Sequence, residues 1–339
     1  MKPFPWHREA LSRLLANRDR LPHAVLVHGP TGIGKVHFAR ALGAAVLCED
    51  PRPAGACGTC PSCHWYSQGN HPDFREILPE AAAEEEVGEA ETPGARPEKA
   101  KSLVIKIDQV RAVGDFIALT THRAGHRVLL LHPAEALQPA SANALLKTLE
   151  EPPPSTLIVL VSDRPARLLP TLLSRCRRLP LRTPPRAEAL AWLREQGVER
   201  PEAALDAAGG APLLARDLAE SQEADLRRRL VAELAKPGGA DALLFAGSVD
   251  RANLERAIWW MQTWVHDLVR ARLAGEVRHH GEHAGALQAR ARGADLPALL
   301  DLDRELAEAR RLASHPLNPR LLTEHLLLAY NRAISGTPR

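Results

Sequence analysis

The stretch AVLVHGPTGIGKV, residues 24–36, decides the fold. Apolar residues of strand-forming type run straight into a turn carrying Gly29, Gly32 and Gly34, and an apolar helical pattern over 36–47 follows. Strand, glycine turn and helix in that order are the context of the phosphate-binding pattern G-x-x-x-x-G-K-[ST]. There, backbone N–H groups cradle phosphates and the lysine reaches the terminal ones. Gly29, Thr31, Gly32, Gly34 and Lys35 are therefore the candidate nucleotide-binding residues. Position 36 is Val, where the pattern asks for a hydroxyl to bind Mg²⁺. The loop keeps its shape and lacks a metal ligand.

Working outward, residues 103–107, 128–131 and 157–161 read as further strands, with Asp108 placed to cap a helix carrying Val110, Val113 and Ile117. Continuous apolar strands separated by helices predict an α/β domain with a parallel sheet covered on both faces, running to about residue 181. A hydrolase of this type needs an acid at the end of a neighbouring strand to hold Mg²⁺. The run at 128–131 ends instead in His132 and Pro133, and the nearest acid is Glu135. Ser162, after the run at 157–161, stands where a sensing polar residue would sit, and reads equally well as a simple turn residue.

Four of the five cysteines, Cys48, Cys57, Cys60 and Cys63, make C-x₈-C-x₂-C-x₂-C. Four soft ligands on short spacers predict a tetrahedral, structural Zn²⁺ module over 48–63, closed to water and substrate. An iron–sulfur run would continue with x₃-C-P, and position 67 is Ser67; unmetallated thiols are the remaining reading. The 339 residues are 45% hydrophobic, enough for two or three domains. Lys plus Arg minus Asp plus Glu is 44 − 41 = +3, too near neutral for a strongly basic nucleic-acid footprint. With no signal-peptide core and no apolar run of membrane-spanning length, a cytoplasmic protein is expected. Residues 80–102, acidic and rich in Ala, Gly and Pro, predict a mobile surface insertion.

Beyond Arg182 the patterns are helical. TPPRAEALAWLREQG opens a small helical unit that closes near Glu220. Leu254, Ile258, Met261, Val265 and Leu268 share one helix face, near an aromatic set of Trp259, Trp260 and Trp264. Asn318 and Pro319 supply an N-cap and first-turn proline for a last helix with Leu321, Leu322, Leu326 and Leu327. Residues from 222 on thus form an all-helical C-terminal domain.

The run AEALQPASANALLKTLEEPPPSTLIVLVSD, residues 134–163, followed by LLPTLLSRC, resembles the AAA+ subunits of bacterial DNA polymerase III clamp loaders, most closely the delta-prime family. The resemblance spans nearly the whole chain, from PFPWH at the start through IKIDQVR at 105–111 to NPRLLTEHLLL near the end. It implies an AAA+ P-loop-type domain over 1–182, a small helical lid over 183–221 and a helical collar over 222–339. It also implies a ring-like pentamer with motor subunits (gamma/tau) and a delta subunit, which opens the sliding clamp and places it on primer-template DNA.

In that family the arginine of Ser-Arg-Cys reaches a neighbour's ATP, which points to Arg175 as a catalytic residue in trans. On the residues alone, Arg175 ends a segment whose Leu168, Leu169, Leu172 and Leu173 are expected to be buried; a cation at a helix C-terminus is the other reading, open also to Arg177 and Arg178. Where a motor subunit carries a second sensing arginine, this chain has Gly210, Ala211, Pro212 and Leu213, with Arg216 one turn later. Val36, His132 and Pro133, with these departures from the family's active pattern, lead to the expectation of a subunit that binds ATP weakly or not at all and has no ATPase of its own. An active motor using Lys35 with Glu135 is the alternative. A zinc-dependent DNA-binding regulator is disfavoured by the charge.

Overall fold

Ala24–His28 (β1), Arg127–Leu131 (β3) and Thr156–Ser162 (β4) are buried almost end to end, as strands covered on both faces must be. With Phe74–Ile77 (β2) and Arg177–Pro180 (β5) they form one parallel five-stranded sheet in the order β2-β3-β4-β1-β5. The computed structural model describes residues 2–82, 102–118, 121–122, 125–220, 223–236, 239–313, 315 and 317–335. Most of the insertion expected at 80–102 lies outside them.

Alternate residues of the strands serve the two faces. Ala24, Leu26, Leu129, Leu131, Ile158 and Leu160 share a core with Val110, Val113 and Ile117 of Ile107–Ala118 (α4), Leu145 and Leu149 of Pro139–Glu150 (α5), and Leu172 of Pro170–Arg175 (α6). The helix after the glycine loop, Lys35–Leu47 (α2), follows Arg8–Leu15 (α1) and covers the other face. It comes so close at Gly43 that an added Cβ would stand 3.4 Å from Val128 Cγ1. Pro61–Ser67 (α3) leads the chain from the cysteines towards β2.

Two expectations are corrected. Residues 103–107 are not a strand: Leu103 is 78% exposed, and only Ile105 is buried, making a single bridge to Leu137. The sheet position is taken by β2, whose Arg75 and Glu76 hide it from an apolar-run reading. The cap of α4 is also not Asp108. Gln109 Oε1 accepts the Lys106 N–H at 2.9 Å, the return half of a capping box.

The chain divides into two compact units, Met1–Glu188 and Ala189–Arg339. Arg186–Glu195 (α7) spans the boundary, and Pro201–Ala207 (α8) and Pro212–Glu220 (α9) follow it in the second unit. Then come Glu223–Leu234 (α10), Ala242–Ala246 (α11), Leu254–Ala274 (α12), Ala284–Gly293 (α13), Leu296–Leu312 (α14) and Pro319–Ser335 (α15). Leu254, Ile258, Met261, Val265 and Leu268 are all buried, and Asn318 Oδ1 accepts the N–H groups of Arg320 and Leu321, as an N-cap does.

The aromatic set divides: Trp260 and Trp264 are core and Trp259 is half-buried. Trp264 Nε1 donates to Tyr330 Oη at 3.0 Å, and Tyr330 Oη donates to Leu234 O at 2.6 Å. Leu326 and Leu327 are core, whereas Leu321 is exposed.

Candidate functional site

The glycine loop joins β1, an interior strand beside edge strand β5, to α2. Gly32 and Gly34 hold φ of 78° and 88°, which side-chain-bearing residues rarely adopt, and Gly34 is the residue before the first turn of α2. An added Cβ on Gly29 would stand 2.1 Å from Leu181 O. Lys35 is 4% exposed. Its Nζ lies 2.5 Å from Asp163 Oδ1 and 2.5 Å from Pro30 O, while Thr31 Oγ1 donates to Asp163 Oδ2 at 2.8 Å. The five predicted loop residues share this turn, and the Asp163 carboxylate engages two of them, Thr31 and Lys35.

The N-terminal segment lies over this loop. Trp6 Nε1 donates to Ile33 O at 3.0 Å, Phe4 stacks on Trp6, and a Cβ on Gly34 would fall 2.6 Å from the Phe4 ring. His7 is buried beside Phe38, and neither ring nitrogen has a hydrogen-bond partner. Burial, helped by the charges of His37 and Lys35, pushes its pKa down from 6.5 to about 4, so the ring is neutral.

The positions that would hold Mg²⁺ are otherwise engaged. Val36 offers no oxygen. His132 Nε2 sits 2.7 Å from Glu76 Oε1, which also takes Arg40 Nε at 2.9 Å. Burial works against the Glu76 charge, but the His132 and Arg40 contacts prevail and hold its pKa below the ordinary value. Glu135, the alternative acid, accepts the Asp163 N–H at 3.1 Å. Ser162 is fully buried, and its hydroxyl accepts the Arg164 N–H at 3.1 Å, the turn role.

Arg175 closes α6 and is half-buried rather than free at an exposed turn. Its Nη2 pairs with Glu150 Oε1 at 2.6 Å and its Nη1 donates to Thr171 O at 3.1 Å. Leu168 and Leu172 are buried beneath it, and Leu169 and Leu173 pack against the same core. Arg177 and Arg178 lie on β5, not at a helix end. Arg216 pairs with Asp217 at 2.9 Å and lies over the Trp192 ring.

Cys48, Cys57, Cys60 and Cys63 converge, their sulfurs all within 4.8 Å of one another, and could hold a metal ion. Cys48 ends α2, while Cys60 caps α3 and Cys63 lies in its first turn. Backbone N–H groups of Cys57, Gly58, Thr59, Cys60 and Cys63 each point at a sulfur, 3.3–3.4 Å away. Such donors orient and favour thiolates. Those from Thr59 lead in pulling Cys57 down to about 6, while burial pushes Cys63 up to about 12. Ser62 Oγ fixes the module to its domain through Leu47 O at 2.6 Å.

Three residues at this site escaped the sequence reading. Asp163, Glu76 and Glu150 each meet a named residue from far along the chain, and local spacing carries no sign of them. The pairing of β4 with β1, which sets Ser162 beside His28, is what brings Asp163 to the loop.

A parallel sheet in the order β2-β3-β4-β1-β5 with a phosphate-type loop between β1 and α2 places this domain in the P-loop class, to which AAA+ domains belong. A family model described as "DNA polymerase III, delta subunit" matches residues 7–185. The DNA polymerase III subunit delta' of Pseudomonas aeruginosa is 40% identical over 219 residues, covering 63% of this chain and 61% of that protein, which is under two thirds of its length. That of Yersinia pestis is 31% identical over 99% of this chain and 97% of its own, and that of Escherichia coli 30% identical over 91% and 85%. The chain belongs to the delta-prime family of DNA polymerase III. No helix of the described residues is long and apolar enough to cross a membrane.

Proposed function

We propose that the chain is a non-hydrolysing subunit of a clamp loader that lends Arg175 to a neighbour's ATP site. Its partners are motor subunits (gamma/tau) and a delta subunit, and through them the sliding clamp and primer-template DNA, in the cytoplasm. Residues 1–182 are the AAA+ domain, 183–221 the lid and 222–339 the collar.

The observation that carries the reading is the combination of Val36 with a His132 turned onto Glu76. A P-loop site needs one hydroxyl and one carboxylate on Mg²⁺, and both are replaced here. Nothing in the reading requires the chain to hold ATP. Its contribution would be electrostatic: a guanidinium can spread over developing γ-phosphate charge, and Arg175 reaches the end of α6 on a rigid apolar base. The Glu150 carboxylate would hold that guanidinium until a stronger anion displaces it.

Zinc is the ion that best suits the cysteines. Tetrahedral bonds of about 2.3 Å would set the sulfurs about 3.8 Å apart. Three of the separations here are 3.9, 3.9 and 3.5 Å. With all four positions taken by sulfur the ion would be structural.

The test is Mg²⁺-dependent ATP turnover by the purified chain. Background rates are expected. Turnover at the rate of a working AAA+ motor, lost on Lys35→Ala, would reinstate Lys35 and Glu135 as an active site.

A further inference from the structure

Removing the Mg²⁺ ligands explains why a loop would fail to hydrolyse, but not why it should fail to bind. Lysine and glycine-loop amides still attract phosphate without a metal. The answer in this chain is a third residue. Asp163 engages Lys35 Nζ through Oδ1 and Thr31 Oγ1 through Oδ2, at 2.5 and 2.8 Å, so one carboxylate bridges two loop donors as two oxygens of one phosphate group would. Lys35 is 4% exposed and the Asp163 side chain 35%, so the pair is buried at the lysine and reached by solvent at the carboxylate. Asp163 is itself held in place by Glu135 Oε1 on its N–H, and the turn it belongs to is fixed by Ser162 Oγ.

We propose that Asp163 is a built-in anion occupying the phosphate position, and that the loop is a latent triphosphate site closed in cis by it. The inference rests on the reading of the loop as a nucleotide-site remnant and adds the residue that shuts it. An incoming phosphate must displace a carboxylate of like charge, and Lys35, already paired, offers it no net attraction. Glu135, assigned as an alternative catalytic acid by position, becomes a positioning residue for the plug.

The test uses the full chain and two ligands that share the triphosphate chain, inorganic tripolyphosphate and ATP, followed by titration calorimetry without Mg²⁺. The unaltered chain is expected to show no measurable binding of either. Asp163→Asn keeps the shape and drops the charge. It should bind both ligands measurably, at an affinity about tenfold or more above the limit set by the unaltered chain, since the facing like charge is gone. Lys35→Ala in that background should abolish the gain. Asp163→Ala serves if Asp163→Asn fails to fold, with retained metal and a cooperative melt as the check on folding.

Equal binding by the unaltered chain and Asp163→Asn would overturn the proposal. So would a folded variant that gains nothing, or a gain for ATP without tripolyphosphate. ATP turnover is read separately. Asp163→Asn should bind and still not hydrolyse, so turnover by the unaltered chain would sink the non-hydrolysing reading while leaving the binding comparison to judge the plug.

Discussion

Arg175 Nη2 lies 2.6 Å from Glu150 Oε1, so the arginine proposed for a neighbour's site is tied down in its own chain by the last residue of α5. Both side chains are partly exposed, at 34% and 49%. Pairs of that kind contribute about 0–1 kcal/mol, a hold that a γ-phosphate can outcompete.

Glu150→Gln should therefore change folding stability by about 1 kcal/mol or less. Chemical denaturation of the purified variant measures it. A loss of several kcal/mol would mean that the pair is a structural bridge, and that Arg175 is not free to leave it.

Metal removal should have the opposite character. The module ties the end of α2 to α3, so Cys60→Ser is expected to release one equivalent of zinc and to lower the melting temperature of Met1–Glu188 together with it. Iron on elemental analysis, or an unchanged melt without metal, would count against the assignment.

His7 predicts an acid sensitivity. Its folded pKa of about 4 lies below the ordinary 6.5, so the unfolded chain takes up a proton that the folded chain refuses. No stability is lost above pH 6.5, and stability falls as pH drops from 6.5 towards 4. By pH 5 the cost is on the order of 2 kcal/mol. His7→Leu cannot charge, so its stability relative to the unaltered chain should improve between pH 7.5 and pH 5 in urea titrations. A difference that is constant with pH would remove His7 as the source.

In the helical unit, Tyr330→Phe should cost about 1–3 kcal/mol, because it leaves buried Trp264 Nε1 without its acceptor and takes one of two donors from the Leu234 carbonyl, which keeps Arg290 Nη1. A melting temperature equal to that of the unaltered chain would show that the network is relieved by water.

What could be read ahead of the structure was what is local. The cysteines lie within 16 residues, the glycine loop within a few, and Leu254 to Leu268 repeat at helical spacing; all three features are found as expected. Central strands β1, β3 and β4 declared themselves because both faces are covered. The edge strands β2 and β5 did not. FREI and RRLP carry charges, as exposed edges do, and the apolar-run criterion passed over them for residues 103–107. The contacts that define the loop's state were equally hidden, since Lys35 and Asp163 meet only after β1 and β4 have paired.

The central claim is that this chain donates an arginine and does not itself turn over ATP. Its most direct test is the DNA- and clamp-stimulated ATPase of a loader reconstituted with motor and delta subunits and carrying Arg175→Ala. An arginine finger is worth roughly 10³–10⁵ in rate at one site, and only the site facing this subunit would lose it. The account predicts an intact complex with clearly reduced but not abolished turnover, while Arg178→Ala on the exposed edge strand behaves like the unaltered complex. Unaltered turnover in the Arg175→Ala complex would contradict the account and leave the subunit as a scaffold.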